Sequence, residues 1–178
     1  MKGTQSPPVQ FSGIRMGHEG GSFILESCLF LPRPLETVFP FFADAGNLET
    51  ITPPWLRFTI LTPLPIAMKA GAVIQYRLRI HGIPMRWQSE ITAWEPPFRF
   101  VDEQRRGPYR KWIHEHTFRG CTGGCEIRDF VQYSVPGGWL AHRLFVRRNV
   151  RQIFEFLTRR LQQLFDANRV SRDPDFIV

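Results

Sequence analysis

The sequence predicts an α+β fold in which a long C-terminal helix covers one face of an antiparallel sheet. Alternating apolar and polar residues recur through residues 22–135 and are separated by Gly and Pro turns. Residues 139–166 then carry apolar side chains at helical spacing. With 178 residues, 43% of them hydrophobic, the chain is large enough for one domain with a sizeable core. The apolar face of such a sheet must be covered, and the long helix is the element able to cover it.

Two short helices are predicted between the first and second strands. The first strand spans residues 22–31, where apolar residues share one parity, and Pro32 ends it. Residues 35–42 carry apolar side chains at helical spacing, and residues 47–52 add a further helical turn that a proline pair ends. We expect these helices to close one end of the sheet.

Six further strands follow, each bounded by turn residues. They are predicted at residues 57–61, 72–81, 85–94, 98–104, 109–118 and 125–135. Residues 139–166 then form one long helix with an apolar stripe on one side and arginines on the others. The predicted architecture is a curved seven-stranded antiparallel sheet wrapped around a long C-terminal helix.

The ends of the chain are predicted to be mobile on either side of one domain at residues 22–167. Residues 1–21 mix Gly, Ser, Pro and polar residues without periodicity and are expected to form a flexible leader, and residues 168–178 a flexible tail. The leader lacks the apolar stretch of a secretory signal, and no run of about 20 apolar residues could span a membrane. Three cysteines, an odd number, favour a reducing compartment, so we expect a cytoplasmic location.

The net charge of +7 indicates a basic surface, but it does not by itself identify a partner. Arginine supplies most of the positive charge, and no block of five consecutive basic residues is present. The sequence also lacks the aromatic, zinc-knuckle and helix-turn-helix motifs of nucleic-acid-binding proteins. We therefore predict neither nucleic-acid binding nor stable membrane insertion, and the oligomeric state stays open.

The densest group of side chains that could carry chemistry lies in the hairpin of the last two predicted strands. By parity, one face of this hairpin is expected to point inward. That face holds Trp112, His114, His116 and Phe118 from one strand and Ile127, Asp129, Val131 and Tyr133 from the other. A hairpin without bulges places either His114 or His116 directly opposite Asp129. Both registers bring a carboxylate within cross-strand reach of an imidazole.

An inward Asp–His pair supports three interpretations, which the sequence leaves open. Asp129 could orient His114 or His116 as a general base. The pair could instead anchor the polar head group of a ligand. It could also be a hydrogen-bonded network that ties two strands together beneath an apolar cavity. No nucleophile signature lies nearby, so these three residues are the ones that an enzyme would use, and no catalytic residue is assigned.

The spacing disfavours a zinc site built from His114, His116, Cys121 and Cys125. Zinc requires its ligand atoms within about 2.0–2.3 Å of one point. Cys121 lies roughly 23 Å along an extended strand from His114. The hairpin returns Cys125 to a position beside Phe118 rather than beside His114. No metal and no cofactor is predicted.

Several motifs resemble those of a known superfamily. They are Gly107-Pro108-Tyr109, Trp112-x-His114-x-His116-x-Phe118, Asp129-x-Val131-x-Tyr133 and Pro136-x-Gly138. Residues 22–165 resemble the START-like, polyketide cyclase/dehydrase (SRPBCC) superfamily, and within it a bacterial ligand-binding subfamily of unassigned function. The resemblance implies the helix-grip fold. The superfamily includes carriers of hydrophobic ligands, lipid-transfer proteins, aromatase/cyclases and quinone-binding proteins, so the fold alone does not select a function.

A gap between the curved sheet and its helix is the expected ligand site, because the short helices close only one end. We predict that the chain binds a hydrophobic or amphipathic small molecule there, such as a lipid, a quinone or a polyketide-like compound. The alternative is a cyclase or dehydratase that acts on a polyketide or aromatic substrate with a His/Asp acid–base pair. The predicted ligand contacts are Trp55, Tyr76, Trp87, Trp112, His114, His116, Phe118, Asp129 and Tyr133.

Overall fold

The protein's computed structural model describes residues 12–166, and a single antiparallel sheet dominates that part of the chain. Within these residues the sheet has eight strands in the order β1-β2-β8-β7-β6-β5-β4-β3, so the last strand lies beside the second. The strands are β1 (Gly13–Glu19), β2 (Ser22–Leu31), β3 (Thr59–Ile60), β4 (Val73–Ile80), β5 (Ile83–Glu95), β6 (Arg99–Arg106), β7 (Lys111–Cys121) and β8 (Gly124–Ser134). The predicted fold class is confirmed, with one strand more than expected.

The extra strand is β1, which lies within the segment predicted to be a flexible leader. That prediction is wrong for residues 13–19, because they pair along their whole length with β2. Gly20 and Gly21 form the turn between the two strands with positive φ angles, a conformation that favours glycine. Ile14 and Met16 pack on the core. The domain therefore begins before residue 22, while residues 1–11 and the predicted tail at 168–178 lie outside the described residues.

The helices lie where the periodicity predicts them, but the last one is not uniform. They are α1 (Leu35–Ala43), α2 (Leu48–Ile51), α3 (Gly138–Ala141) and α4 (Arg147–Phe165), with short 3₁₀ turns at Ala45–Asn47 and Pro54–Leu56. A π-helical turn, His142–Val146, joins α3 to α4, so the predicted single helix at 139–166 is interrupted. No helix in the part of the chain that the structure describes is long and apolar enough to cross a bilayer.

The π-helical turn coincides with a buried polar contact. His142 stacks on Phe23 with ring centroids 3.5 Å apart, and its Nε2 atom lies 2.8 Å from the hydroxyl of Tyr133. Burial lowers the pKa of His142, and the nearby charge of Arg147 lowers it further. A neutral imidazole at this position accepts the hydrogen bond of the tyrosine hydroxyl.

Helix α4 packs on the sheet at both of its ends. Near its start, Val150 and Phe154 are buried against an apolar cluster that includes Leu25 and Val131. Near its end, Leu161 and Phe165 are buried in a second cluster that includes residues of β2, α1 and β7. Ile153 and Leu157 are only half-buried, although they lie on the inner side of the helix. The helix therefore spans the sheet without filling all the space beneath it.

Replacing Leu161 by alanine should destabilise the fold strongly, because this side chain is 1% exposed and joins α4 to the core. A buried Leu→Ala change costs about 2–5 kcal/mol. Leu140→Ala is the matched control, since Leu140 is 60% exposed and its loss should cost less than about 0.5 kcal/mol. Urea unfolding followed by circular dichroism measures both, and equal small losses would contradict the packing of α4 described here.

Candidate functional site

A cavity of about 220 Å³ lies between the sheet and α4. Most of its wall is apolar and comes from β4, β5, the α1–α2 segment and α4. The aromatic residues on this wall are Phe41, Phe42, Phe58, Tyr76, Trp87, Phe100, Tyr109, Trp112 and Phe154. The space greatly exceeds the roughly 10–15 Å³ that one water molecule needs, and its lining is typical of a site for a small organic molecule.

Four ionisable side chains from neighbouring strands meet on the cavity wall, and we call them the His–Asp cluster: Asp102 of β6, His114 and His116 of β7, and Asp129 of β8. His116 lies directly opposite Asp129, which selects one of the two registers that the sequence allowed. Asp102 lies directly opposite His114 on the other side of β7. The three adjacent strands therefore hold the cluster in place.

Each imidazole of the His–Asp cluster lies close to both carboxylates. His114 Nε2 is 3.1 Å from Asp129 Oδ1, and His114 Nδ1 is 3.6 Å from Asp102 Oδ2. His116 Nε2 is 3.1 Å from Asp102 Oδ2, and His116 Nδ1 is 3.0 Å from Asp129 Oδ1. The last contact is close but lacks hydrogen-bond geometry. The two rings lie 3.7 Å apart, so the cluster is compact.

A chain of polar side chains supports Asp102 from β5 and β4. The Ser89 hydroxyl lies 3.3 Å from Asp102 Oδ1 and donates a hydrogen bond to it. The indole Nε1 of Trp87 donates to the Ser89 oxygen at 3.1 Å, and the Tyr76 hydroxyl lies 3.1 Å from the same oxygen. These contacts orient the carboxylate, so that its Oδ2 atom faces the imidazoles of His114 and His116.

The electrostatics of the cluster stabilise its charged forms despite burial. Burial would raise the pKa of Asp129, but the close contacts with His114 and His116 outweigh that effect and bring the pKa well below its usual range. The pKa of Asp102 is lowered in the same way, against the effect of burial, by His116 and His114. Burial would lower the pKa of His116, but the two aspartates raise it to about 9. At neutral pH the cluster therefore contains two carboxylates and a protonated His116.

The structure brings most of the predicted ligand contacts to the cavity. Those that line it are Tyr76, Trp87, Trp112, His114, His116 and Asp129. Phe118 is absent from the lining because it lies further along β7, where it packs edge-on against Phe39 and Phe42 of α1. Tyr133 is fully buried against His142. Trp55 is 49% exposed and contacts Phe156 on α4 outside the cavity.

Sequence reasoning missed Asp102 and Ser89. Both have a parity signal, since Asp102 comes two residues after the buried Phe100, and Ser89 lies between the buried Trp87 and Ile91. Register shifts between β5 and β6 break the simple pairing of these strands, so counting along the strands does not bring Ser89 and Asp102 together. The signal that could have identified both residues is a polar side chain at an inward position.

Three members of the cluster also form a set of donors with the spacing of a metal site. Oxygen and nitrogen atoms of Asp102, His114 and His116 lie within 4.8 Å of one another. The His/Cys set considered from the sequence does not assemble, because Cys125 pairs with Gly120, beyond the cluster along β7. The cysteines 28, 121 and 125 are all free.

Comparison with known proteins supplies the family. The sequence pattern of the family described as "Polyketide cyclase / dehydrase and lipid transport" matches residues 31–162, well over half of the chain. The chain belongs to this family. The superfamily and the helix-grip fold that the sequence motifs implied are thus confirmed. No curated protein matches the chain.

Solved structures with a similar fold match most of the chain. Protein Ms6760 from Mycobacterium smegmatis matches with a TM-score of 0.64 and 17% identity, covering 87% of this chain and 99% of its own. Major latex-like protein 151 from Panax ginseng matches with a TM-score of 0.62 and 13% identity, covering 83% and 99%. Protein TTHA0849 from Thermus thermophilus matches with a TM-score of 0.61 and 18% identity, covering 82% and 98%. At these identities the likeness shows the fold alone.

Replacing Asp129 by asparagine should destabilise this family member by about 3–5 kcal/mol, because the change removes one charge from a buried, paired cluster. Glu103→Gln is the matched carboxylate-to-amide control, since Glu103 pairs with the exposed Arg105 and should contribute less than about 1 kcal/mol. Urea unfolding at neutral pH compares the two. A small loss for Asp129→Asn would show that the cluster contributes little to stability.

Proposed function

We propose that this protein binds an amphipathic, largely hydrophobic small molecule in the cavity between the sheet and α4. The observation that carries the proposal is an apolar, aromatic-rich cavity of about 220 Å³ with the His–Asp cluster on its wall. Membership of a family described by polyketide cyclases, dehydrases and lipid transport supports a hydrophobic ligand. The free cysteines are compatible with the cytoplasmic location that we expect.

The lining indicates how such a molecule would be held. Apolar parts of the ligand would pack against aromatic rings such as Trp87, Trp112 and Phe154. A carbonyl or hydroxyl group would bind beside the His–Asp cluster, where polar side chains are concentrated on the otherwise largely apolar wall. Lipids with a small head group, quinones and polyketide-like compounds all combine these features.

A second candidate is a cyclase or dehydratase activity on a polyketide or aromatic substrate. The position of two imidazoles on the wall of the cavity favours it, because a bound carbonyl compound would lie within reach of a general acid or base. Such an enzyme would use the same apolar wall for binding. Hydrophobic ligand binding is therefore common to both candidates and is the property to test first.

Native mass spectrometry of gently purified protein tests the proposal. We expect a stoichiometric apolar small molecule on the wild-type chain, and displacement of the fluorescent probe anilinonaphthalene sulfonate by the extracted compound. Ile153→Trp should lower binding at least tenfold, because Ile153 lines the cavity and the larger side chain would fill it.

Ile83→Trp is the matched control, since Ile83 is 60% exposed at the start of β5 and does not line the cavity. This variant should bind like the wild type. Wild-type protein that carries no small molecule and takes up no probe would overturn the proposal. Equal binding by Ile153→Trp and Ile83→Trp would place the ligand outside this cavity and would overturn it as well.

A further inference from the structure

Two potential ligand atoms face each other within the His–Asp cluster without a direct hydrogen bond. His114 Nε2 lies 3.1 Å from the Asp129 carboxylate, which leaves the Nδ1 atom of the same ring beside Asp102. This Nδ1 atom is 3.6 Å from Asp102 Oδ2, beyond hydrogen-bonding distance.

A third donor completes the set around the same oxygen. His116 Nε2 lies 3.1 Å from Asp102 Oδ2, and the three donor atoms are all within 4.8 Å of one another. Ligand atoms at about 2.0–2.2 Å from a tetrahedral ion are roughly 3.3 Å apart. The separations of 3.1 and 3.6 Å from Asp102 Oδ2 are close to that spacing.

The surroundings of these donors resemble the outer shell of a metal site. Asp129 Oδ1 lies 3.1 Å from the second nitrogen of His114 and 3.0 Å from that of His116. Ser89 donates to the second oxygen of Asp102. Histidine ligands of metals usually present their other ring nitrogen to a carboxylate, which fixes the tautomer and the ring orientation.

The charged groups on the cavity wall also suit a divalent cation. The cluster contributes the carboxylates of Asp102 and Asp129. No Lys or Arg side chain lines this cavity within residues 12–166, so no basic side chain there competes with an ion for these carboxylates.

We propose that Asp102 Oδ2, His114 Nδ1 and His116 Nε2 bind one divalent transition-metal ion of the zinc class, with its remaining coordination positions directed into the cavity. The ion would give the polar group of a bound molecule a coordination position. This inference goes beyond hydrophobic ligand binding and does not depend on it, because the ion is measured without an organic ligand.

Isothermal titration of tag-free, chelator-treated protein with Zn²⁺ tests the site. We expect one ion per chain, and an affinity at least tenfold lower for Asp102→Asn. Cys121→Ser is the control, because Cys121 offers a partly exposed thiol outside the cluster, and it should bind zinc like the wild type. Circular dichroism checks that each variant folds.

Anomalous diffraction from zinc-soaked wild-type crystals tests the same site without any substitution. A peak at about 2.0–2.2 Å from the three donor atoms is the expected result. Two results would overturn the metal site. One is that the wild-type protein binds no zinc. The other is that Cys121→Ser loses zinc binding while Asp102→Asn keeps it. Probe binding in the cavity by the same metal-free protein would show that the proposed function survives that result.

A separate feature lies on the outer surface, at α3 and the π-helical turn. Trp139, Leu140, Leu144 and Phe145 are each 60% exposed or slightly more, and we call them the apolar patch. Scattered exposed apolar residues are normal, but a group of large ones within two helical turns indicates an interaction surface.

Arginines adjoin the apolar patch in the chain. Arg143, Arg147 and Arg148 are exposed, and the Arg143 guanidinium lies 5.1 Å from the centroid of the Trp139 ring. The sequence contains no Asp or Glu between Phe130 and Phe154. Exposed Trp, Leu and Phe flanked by arginines are typical of helices that lie in the interface of an anionic membrane.

We infer that the apolar patch docks peripherally on anionic lipid membranes. Charge complementarity identifies this partner, since arginines would contact lipid phosphates while the four apolar side chains enter the interface. Peripheral docking of this kind requires no membrane-spanning segment. The residues that would dock all lie on the outer surface, so docking is independent of the cavity and of the metal site.

Co-sedimentation with vesicles tests the docking. We expect binding to an equal mixture of phosphatidylcholine and phosphatidylglycerol, weaker binding at high salt, and little binding to phosphatidylcholine alone. The double variant Trp139→Ala/Phe145→Ala should bind at least tenfold less. Phe98→Ala is the control, because Phe98 is 60% exposed at a distant turn and should leave binding unchanged.

Two results would overturn the membrane inference. One is the absence of wild-type binding to the anionic vesicles. The other is a dimer in sedimentation velocity that the double variant abolishes while vesicle binding persists, which would assign the apolar patch to contact between copies of this chain.

Discussion

The sheet presents a wider apolar face than α4 is able to cover. Strands β1 to β8, spaced by about 4.8 Å, would span roughly 34 Å if the sheet were flat. A helix with its side chains is about 10–12 Å wide. The short helices α1 and α2 cover part of the remaining face, and the cavity occupies space that no helix fills. The cavity is therefore a consequence of the mismatch between one wide layer and one narrow one.

The His–Asp cluster is tolerated on this face because its members neutralise one another. An isolated aspartate in an apolar cavity would take up a proton, but Asp102 and Asp129 each contact both imidazoles. Three neighbouring strands hold the four side chains, so their positions follow from sheet register rather than from a loop. This gives the cavity a rigid polar region within an otherwise hydrophobic wall.

The inner and outer surfaces of the molecule carry different charged groups. The cavity contains two carboxylates, with no Lys or Arg along its wall in the described chain. The outer side of the C-terminal helical region carries arginines next to exposed aromatic and aliphatic residues. A molecule bound inside and a partner bound outside would thus be selected by different chemistry. Substitutions at one surface can be made without touching the other.

Much of the fold and part of the site could be predicted from the sequence. The strand at Ser22–Leu31, the helix at Leu35–Ala43 and the inward position of His114 and His116 followed from parity and helical spacing. The sequence narrowed the partner of Asp129 to two imidazoles, and the structure brings both to it. It did not reveal Phe118 and Tyr133 as core residues, because parity identifies the buried face but not which part of that face is filled.

By itself, the sequence determined most of the segments that form strands and helices, β1 excepted, and which face of the β7–β8 hairpin points inward, since these properties depend on residues close together in the chain. The tertiary structure decided the order and pairing of the strands. It placed β8 between β2 and β7, paired β1 with β2, and brought Asp102 of β6 against the imidazoles of β7. Contacts of this kind depend on the order and register of strands, which periodicity within a single strand does not encode.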